Sequence, residues 1–131
     1  MMSSADLTRF SDCGLAEKGK EEEYLRKIQA DVASVIDPDK MGTLARIMRA
    51  LADPTRIKVI AMVKARGRLY ECEIVGAYGL AQPTASYHLR LLSDAGILAK
   101  RREGKMIAYI PGEGLGWKVA ERALEIAKDS G

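Results

Sequence analysis

The side chains of this sequence that are able to do chemistry fall in three places. Cys13 and Cys72 are its two thiols, 59 residues apart, and His88 is its single imidazole. There is no Cys-x-x-Cys, no His-Glu-x-x-His and no Cys/His cluster, so a zinc finger and a zinc protease are excluded on ligand count. A Cys/His nucleophile–base pair would have to be drawn from Cys72 and His88 alone, and no enzyme is expected. The other two places are polar and cationic. Gln82, Thr84, Ser86, Tyr87 and Arg90 form a short run of hydrogen-bonding groups, and Lys100, Arg101, Arg102 and Lys105 stand against a single acid, Glu103.

The elements that must position these groups follow from periodicity. Leu25, Ile28, Val32, Val35 and Ile36 fall at helical spacing behind Glu21, Glu22 and Glu23, charges that suit a first helical turn, and Asp37-Pro38-Asp39 ends that helix. A second helix is expected over about 40–51, with Leu44, Ile47, Met48 and Leu51 on one stripe. Asp53 is a good N-cap and Pro54 a good first residue for a third helix running to about residue 64, its face marked by Ile57, Ile60, Ala61 and Lys64, with Gly67 stopping it. A short helix over 71–78 carries Cys72, Ile74 and Val75 and ends at Gly79. Leu80-Ala81-Gln82-Pro83-Thr84 then turns into a longer helix with Ala85, Leu89, Leu91 and Leu92 inward, ending at Asp94-Ala95-Gly96. A short helix, a tight turn and a longer helix is helix-turn-helix spacing.

Beyond Gly96 the period changes. Residues 97–102 and 105–110 read as two strands joined at Glu103-Gly104, and Pro111-Gly112 closes the second. A last helix over about 115–128 is apolar over a wide arc, through Leu115, Val119, Ala123 and Ile126 with Trp117, Ala120, Leu124 and Ala127 beside them. That arc exceeds what so small a core can cover, and a second subunit is the natural cover. The fold class is therefore α+β, mostly α: a winged helix-turn-helix with a two-stranded wing, and N- and C-terminal helices for dimerisation. Residues 1–20 lack helical periodicity and are expected to form a flexible arm ahead of one domain over 21–131.

Composition bounds the same answer. At 131 residues, 47% apolar and 30% charged, the chain suits a single globular domain rather than a disordered one. It has no run of 18 apolar residues to cross a membrane, and its N-terminus lacks the apolar stretch of a secretory signal, so a cytoplasmic location is expected. Residues 1–40 carry a net charge of −3 and residues 41–131 a net of +6, and a basic body of this kind suits a polyanionic partner.

Leu51-Ala52-Asp53-Pro54-Thr55-Arg56, Ser86-Tyr87-His88-Leu89-Arg90-Leu91-Leu92, Ala95-Gly96-Ile97-Leu98, Arg102-Glu103-Gly104-Lys105 and Ala108-Tyr109, in this order and spacing, resemble the ArsR/SmtB family over about residues 44–111. The resemblance implies a dimeric repressor that leaves its double-stranded DNA operator when it binds a metal or metalloid, or when thiols are oxidised. In such a fold the fifth helix enters the major groove, where Gln82, Thr84, Ser86, Tyr87 and Arg90 would meet bases and backbone, while Lys100, Arg101, Arg102 and Lys105 of the wing would meet phosphate. His88 takes a structural or backbone-contacting role in preference to metal ligation. An alternative of another class is a winged helix kept for protein contacts without DNA; the reading-end polar residues and the basic wing count against it.

The resemblance also says where an effector would sit. Many members hold arsenite, cadmium or lead on a Cys-x-Cys of the short helix, sometimes with cysteines from the partner's arm. Here Tyr70 stands in place of the first cysteine, Cys72 remains, and Cys13 lies in the arm. The pair suits arsenic(III) or another thiophilic metal ion, with no organic cofactor. Two alternatives stand beside this: a Cys13–Cys72 disulfide formed on oxidation, and no sensing by these cysteines. A second known effector site, of Asp, His and Glu on the last helix, looks absent, because that helix offers Glu121 and Glu125 without histidine.

Overall fold

The computed structural model describes residues 3–130, which form two compact units, one ending at Met41 and one beginning at Gly42. Among the described residues no helix is long and apolar enough to cross a membrane.

The first unit holds α1 (Ser4–Ser11) and α2 (Glu21–Val35), then a single 3₁₀ turn over Pro38–Lys40. α1 lies within the arm expected over residues 1–20, where no helical periodicity marks it. Its cause is local: the Asp6 N–H donates to Ser3 Oγ at 3.1 Å and the Ser3 N–H donates back to Asp6 at 3.4 Å, a reciprocal cap that a search for periodicity does not see. Phe10 and Tyr24, ring centroids 5.3 Å apart, pack α1 on α2. The apolar stripe of α2 is present as expected but none of its residues is buried in the single chain; Val35 is 85% exposed.

The second unit contains α3 (Met41–Leu51) from its second residue on, α4 (Pro54–Arg66), β1 (Leu69–Tyr70), α5 (Glu71–Tyr78), α6 (Gln82–Asp94), β2 (Leu98–Glu103), β3 (Met106–Pro111) and α7 (Leu115–Asp129). This is a winged helix-turn-helix. Its core is one cluster in which Ile47, Ile60, Leu69, Ile74, Leu89, Leu92 and Ile97 are fully buried. Asp53 caps α4 by accepting the Arg56 N–H, with Pro54 at the first helical position. The inward face of α4 is Val59, Ile60 and Val63; of the expected Ile57, Ile60, Ala61 and Lys64 only Ile60 is buried and the other three are exposed.

The sheet has three antiparallel strands in the order β1-β3-β2, where two were expected. β1 is two residues long, pairing Leu69 with Tyr109 and Tyr70 with Ala108, too short to show alternation in sequence. The hairpin turns at Gly104-Lys105, one residue later than expected, with Gly104 at φ 62° as the first central residue. α7 turns Gly116, Trp117 and Ala120 into the core, and Lys64 of α4 reaches Glu121 at 2.6 Å; Leu115 and Ile126 remain exposed.

Candidate nucleic-acid interface

α6 is fixed to the core by Ala85, His88, Leu89 and Leu92. At 100° per residue the arc opposite these four is centred on Pro83, Tyr87 and Arg90, with Gln82 and Ser86 on one flank and Thr84 on the other. All six are exposed. The five polar α6 residues singled out from sequence are therefore all exposed, Gln82 nearest the core side, and Pro83 stands at the middle of the outward arc. The Arg90 guanidinium lies over the Tyr87 ring, 5.6 Å from its centroid, and the Gln82 amide donates to Glu71 at 3.3 Å.

The structure divides the wing cations that the sequence grouped together. Cross-strand partners share a face of a sheet and successive residues alternate. Lys100, paired with Tyr109, and Arg102, paired with Ile107, belong to the face that carries the buried Leu69, Leu98 and Tyr109, which is the helix side. Arg101, paired with Ala108, belongs to the outer face with Tyr70 and Glu103. There Glu103 accepts the Tyr70 hydroxyl at 2.5 Å and the Arg101 guanidinium at 3.0 Å, with Arg68 at 3.8 Å. The Tyr70 bond, ahead of Arg101, holds the Glu103 carboxyl below its usual range, and the same bond raises the Tyr70 phenol.

Cys72 is the second residue of α5 and lines a cleft of about 440 Å³ together with Ser86 of α6 and Lys105, Ile107 and Tyr109 of the wing. Cys13 lies in the other unit; both thiols are free and exposed. Glu73 accepts the Tyr70 N–H at 2.9 Å and Glu71 is engaged by Gln82, so both acids beside Cys72 already have partners. Among the described residues no three His, Cys, Asp or Glu side chains converge on one point.

His88 is 8% exposed and is met by Arg56, the last residue of the Leu51–Arg56 run. Arg56 Nη1 lies 3.1 Å from His88 Nδ1, and Arg56 Nε donates to the Ala50 carbonyl at 2.6 Å. The Asp53 carboxylate stands 4.0 Å from the same imidazole nitrogen. The Arg56 N–H, ahead of the Arg56 side chain, holds the Asp53 carboxyl below its usual range.

The sequence profile described as bacterial regulatory protein, arsR family, matches residues 53–100. The chain is 44% identical over 71 residues to a probable mercury resistance operon repressor of Streptomyces lividans, covering 54% of this chain and 56% of that one. It is 33% identical over 90 residues to an uncharacterized HTH-type transcriptional regulator of Methanocaldococcus jannaschii, covering 69% of this chain and 93% of that one. Among solved structures, the homodimeric winged helix-turn-helix DNA-binding domain of a possible ArsR-family transcriptional regulator from Mycobacterium bovis superposes with a TM-score of 0.62 at 25% identity, over 72% of this chain and 89% of that one. The match to the Streptomyces repressor thus spans little more than half of that relative's length.

Proposed function

The chain belongs to the arsR family of bacterial regulatory proteins, and from that premise we propose that it is a homodimeric repressor that reads a double-stranded operator and releases it when a thiophilic metal or metalloid binds. The observation that carries the first half is the exposed arc of α6 beside a wing whose helix-side cations are Lys100 and Arg102. Ser86, Tyr87 and Arg90 are the base-reading set, flanked by Gln82 and Thr84, and Lys100, Arg102 and Lys105 meet phosphate. Arg101, paired with Glu103 on the outer face, adds less to that contact. The relatives matched are regulators, and regulation without catalysis is the reading for this chain as well.

The effector half rests on the mercury resistance relative and on the chemistry of Cys13 and Cys72. The donors present fit an ion that takes two thiolates and completes its shell from outside; they do not fit a four-ligand cage drawn from one chain. Arsenic(III) and mercury(II) are the effectors to test. Cys13 of one subunit and Cys72 of the other supply the thiolates. A hundredfold loss of operator affinity requires about 2.7 kcal/mol of coupling between the sites.

The test is titration of reduced dimer on operator DNA with arsenite and with mercury(II), following thiolate–metal absorption and DNA release together. Cys13→Ser and Cys72→Ser should each keep affinity and lose release. A mixed dimer with one variant of each kind should keep one working site. Release by an oxidant alone, with no response to either ion, would favour the disulfide reading; full response in both variants would place the signal elsewhere.

A further inference from the structure

One guanidinium joins three helices of the second unit. Arg56, in the first turn of α4, donates through Nε to the Ala50 carbonyl in the last turn of α3 and meets His88 Nδ1 of α6 through Nη1. Its own N–H is held at 3.0 Å by Asp53, so the turn that carries it is fixed. Arginine has donors only. In the 3.1 Å contact the guanidinium is the donor and Nδ1 the acceptor, an arrangement that places the ring proton on Nε2.

From His88 the contacts continue to the reading face. The His88 ring meets Tyr87 edge-on at 5.6 Å between centroids, and Tyr87 carries the Arg90 guanidinium. The series Arg56–His88–Tyr87–Arg90 thus runs from the α3–α4 junction, through the buried side of α6, to the outward arc. A histidine on a helix face otherwise made of Ala85, Leu89 and Leu92 has no apolar reason to be there; its polar atom serves Arg56.

We propose that Arg56 is a positioning residue for operator reading: by holding His88 in its Nε2–H form it fixes the rotation of α6 and, through Tyr87, the pose of Arg90. The inference rests on the DNA-reading proposal above but concerns residues on the far side of the helix. Arg56 touches no DNA itself. Its loss should lower discrimination between operator and unrelated DNA while leaving the phosphate-driven, salt-dependent affinity in place.

Two measurements test it. The first uses wild-type protein without DNA. With a single histidine in the chain, a long-range proton–nitrogen NMR spectrum at pH 8 reports His88 without assignment. The expected spectrum shows a bare Nδ1 and a protonated Nε2; a protonated Nδ1 would overturn the proposal whatever the protein binds. The second compares variants on operator recovered by selection from randomised duplexes. Arg56→Gln and His88→Leu should each lower the ratio of operator to random-DNA affinity by roughly tenfold or more. His88→Asn, which places an acceptor oxygen where Nδ1 stands, should restore most of it. If His88→Leu retains the full ratio, or if His88→Asn is no better than His88→Leu, Arg56 does not position the reading face. Failure of the wild-type protein to select any sequence would instead remove the DNA-reading proposal and leave the spectrum to decide the Arg56–His88 contact.

Discussion

Glu103 shows how one acid sorts the charges of the wing. It ties Tyr70 at the foot of α5 to the hairpin tip and pairs with Arg101, while Arg102 lies on the helix side with no ion pair among the described residues. Tyr70 thereby has a structural use at the position where the family resemblance places a ligand cysteine. Folding lowers the Glu103 carboxyl from its usual 4.5, so its charged-form contacts add stability above that value and lose it as pH falls through the lowered one. The protection of the amides at residues 101–105, taken relative to the intrinsic exchange rate at each pH, should therefore fall on acidification below about 4.5. In Tyr70→Phe the Glu103 carboxyl should titrate closer to its usual value; an unchanged titration would show that the hydroxyl does not hold it. The two arginines separate by salt dependence. Arg102→Ala should reduce the slope of log affinity against log salt by about 0.9, one phosphate contact, and Arg101→Ala by much less. Equal losses would mean that the outer face of the wing also meets DNA.

The elements were legible in the sequence wherever a cap, a glycine or a long apolar stripe marked them. Asp53-Pro54 and Gly67 bracket α4, Gly79 precedes the turn into α6, and all the polar reading residues of α6 are exposed. What escaped depends on contacts distant in sequence. β1 exists because Leu69 and Tyr70 find β3, and the partnership of Arg56 with His88 crosses 32 residues. Arg101 and Arg102 must face opposite ways as strand neighbours, but which of them lies on the helix side is set by the burial of Leu98 and Tyr109. The docking of α7 was likewise invisible. A Cβ on Gly116 would meet the Gly96–Ile97 backbone at 2.8 Å, and one on Gly112 would overlap the Gly96 carbonyl. Gly116→Ala should cost about 1–3 kcal/mol in thermal or denaturant unfolding. Gly76→Ala, in the interior of α5 with nothing within 4 Å, should instead stabilise by about 0.5–1 kcal/mol. A Gly116→Ala protein as stable as the parent would show that α7 sits further from the Gly96 turn.

At the scale of the whole molecule, the single chain leaves apolar side chains of its terminal helices in water: Ile28, Val32 and Val35 on α2, Leu115 and Ile126 on α7. A homodimer that covers them is the economical account, and the related Mycobacterium bovis domain is homodimeric. Val35→Glu with Ile126→Glu should shift the protein towards monomer in sedimentation with little loss of helix signal, because neither side chain belongs to the core. A dimer carries two copies of α6 related by a two-fold axis, so its operator must carry two half-sites about 10 base pairs apart or a multiple of that. Selection of binding sites from a randomised duplex library by the reduced, metal-free protein tests this claim most directly. The account predicts enrichment of an inverted repeat with that spacing, and loss of the preference at one base of each half-site in Arg90→Ala. Recovery of no preferred sequence, or of a single unrepeated site read equally well by Arg90→Ala, would contradict it.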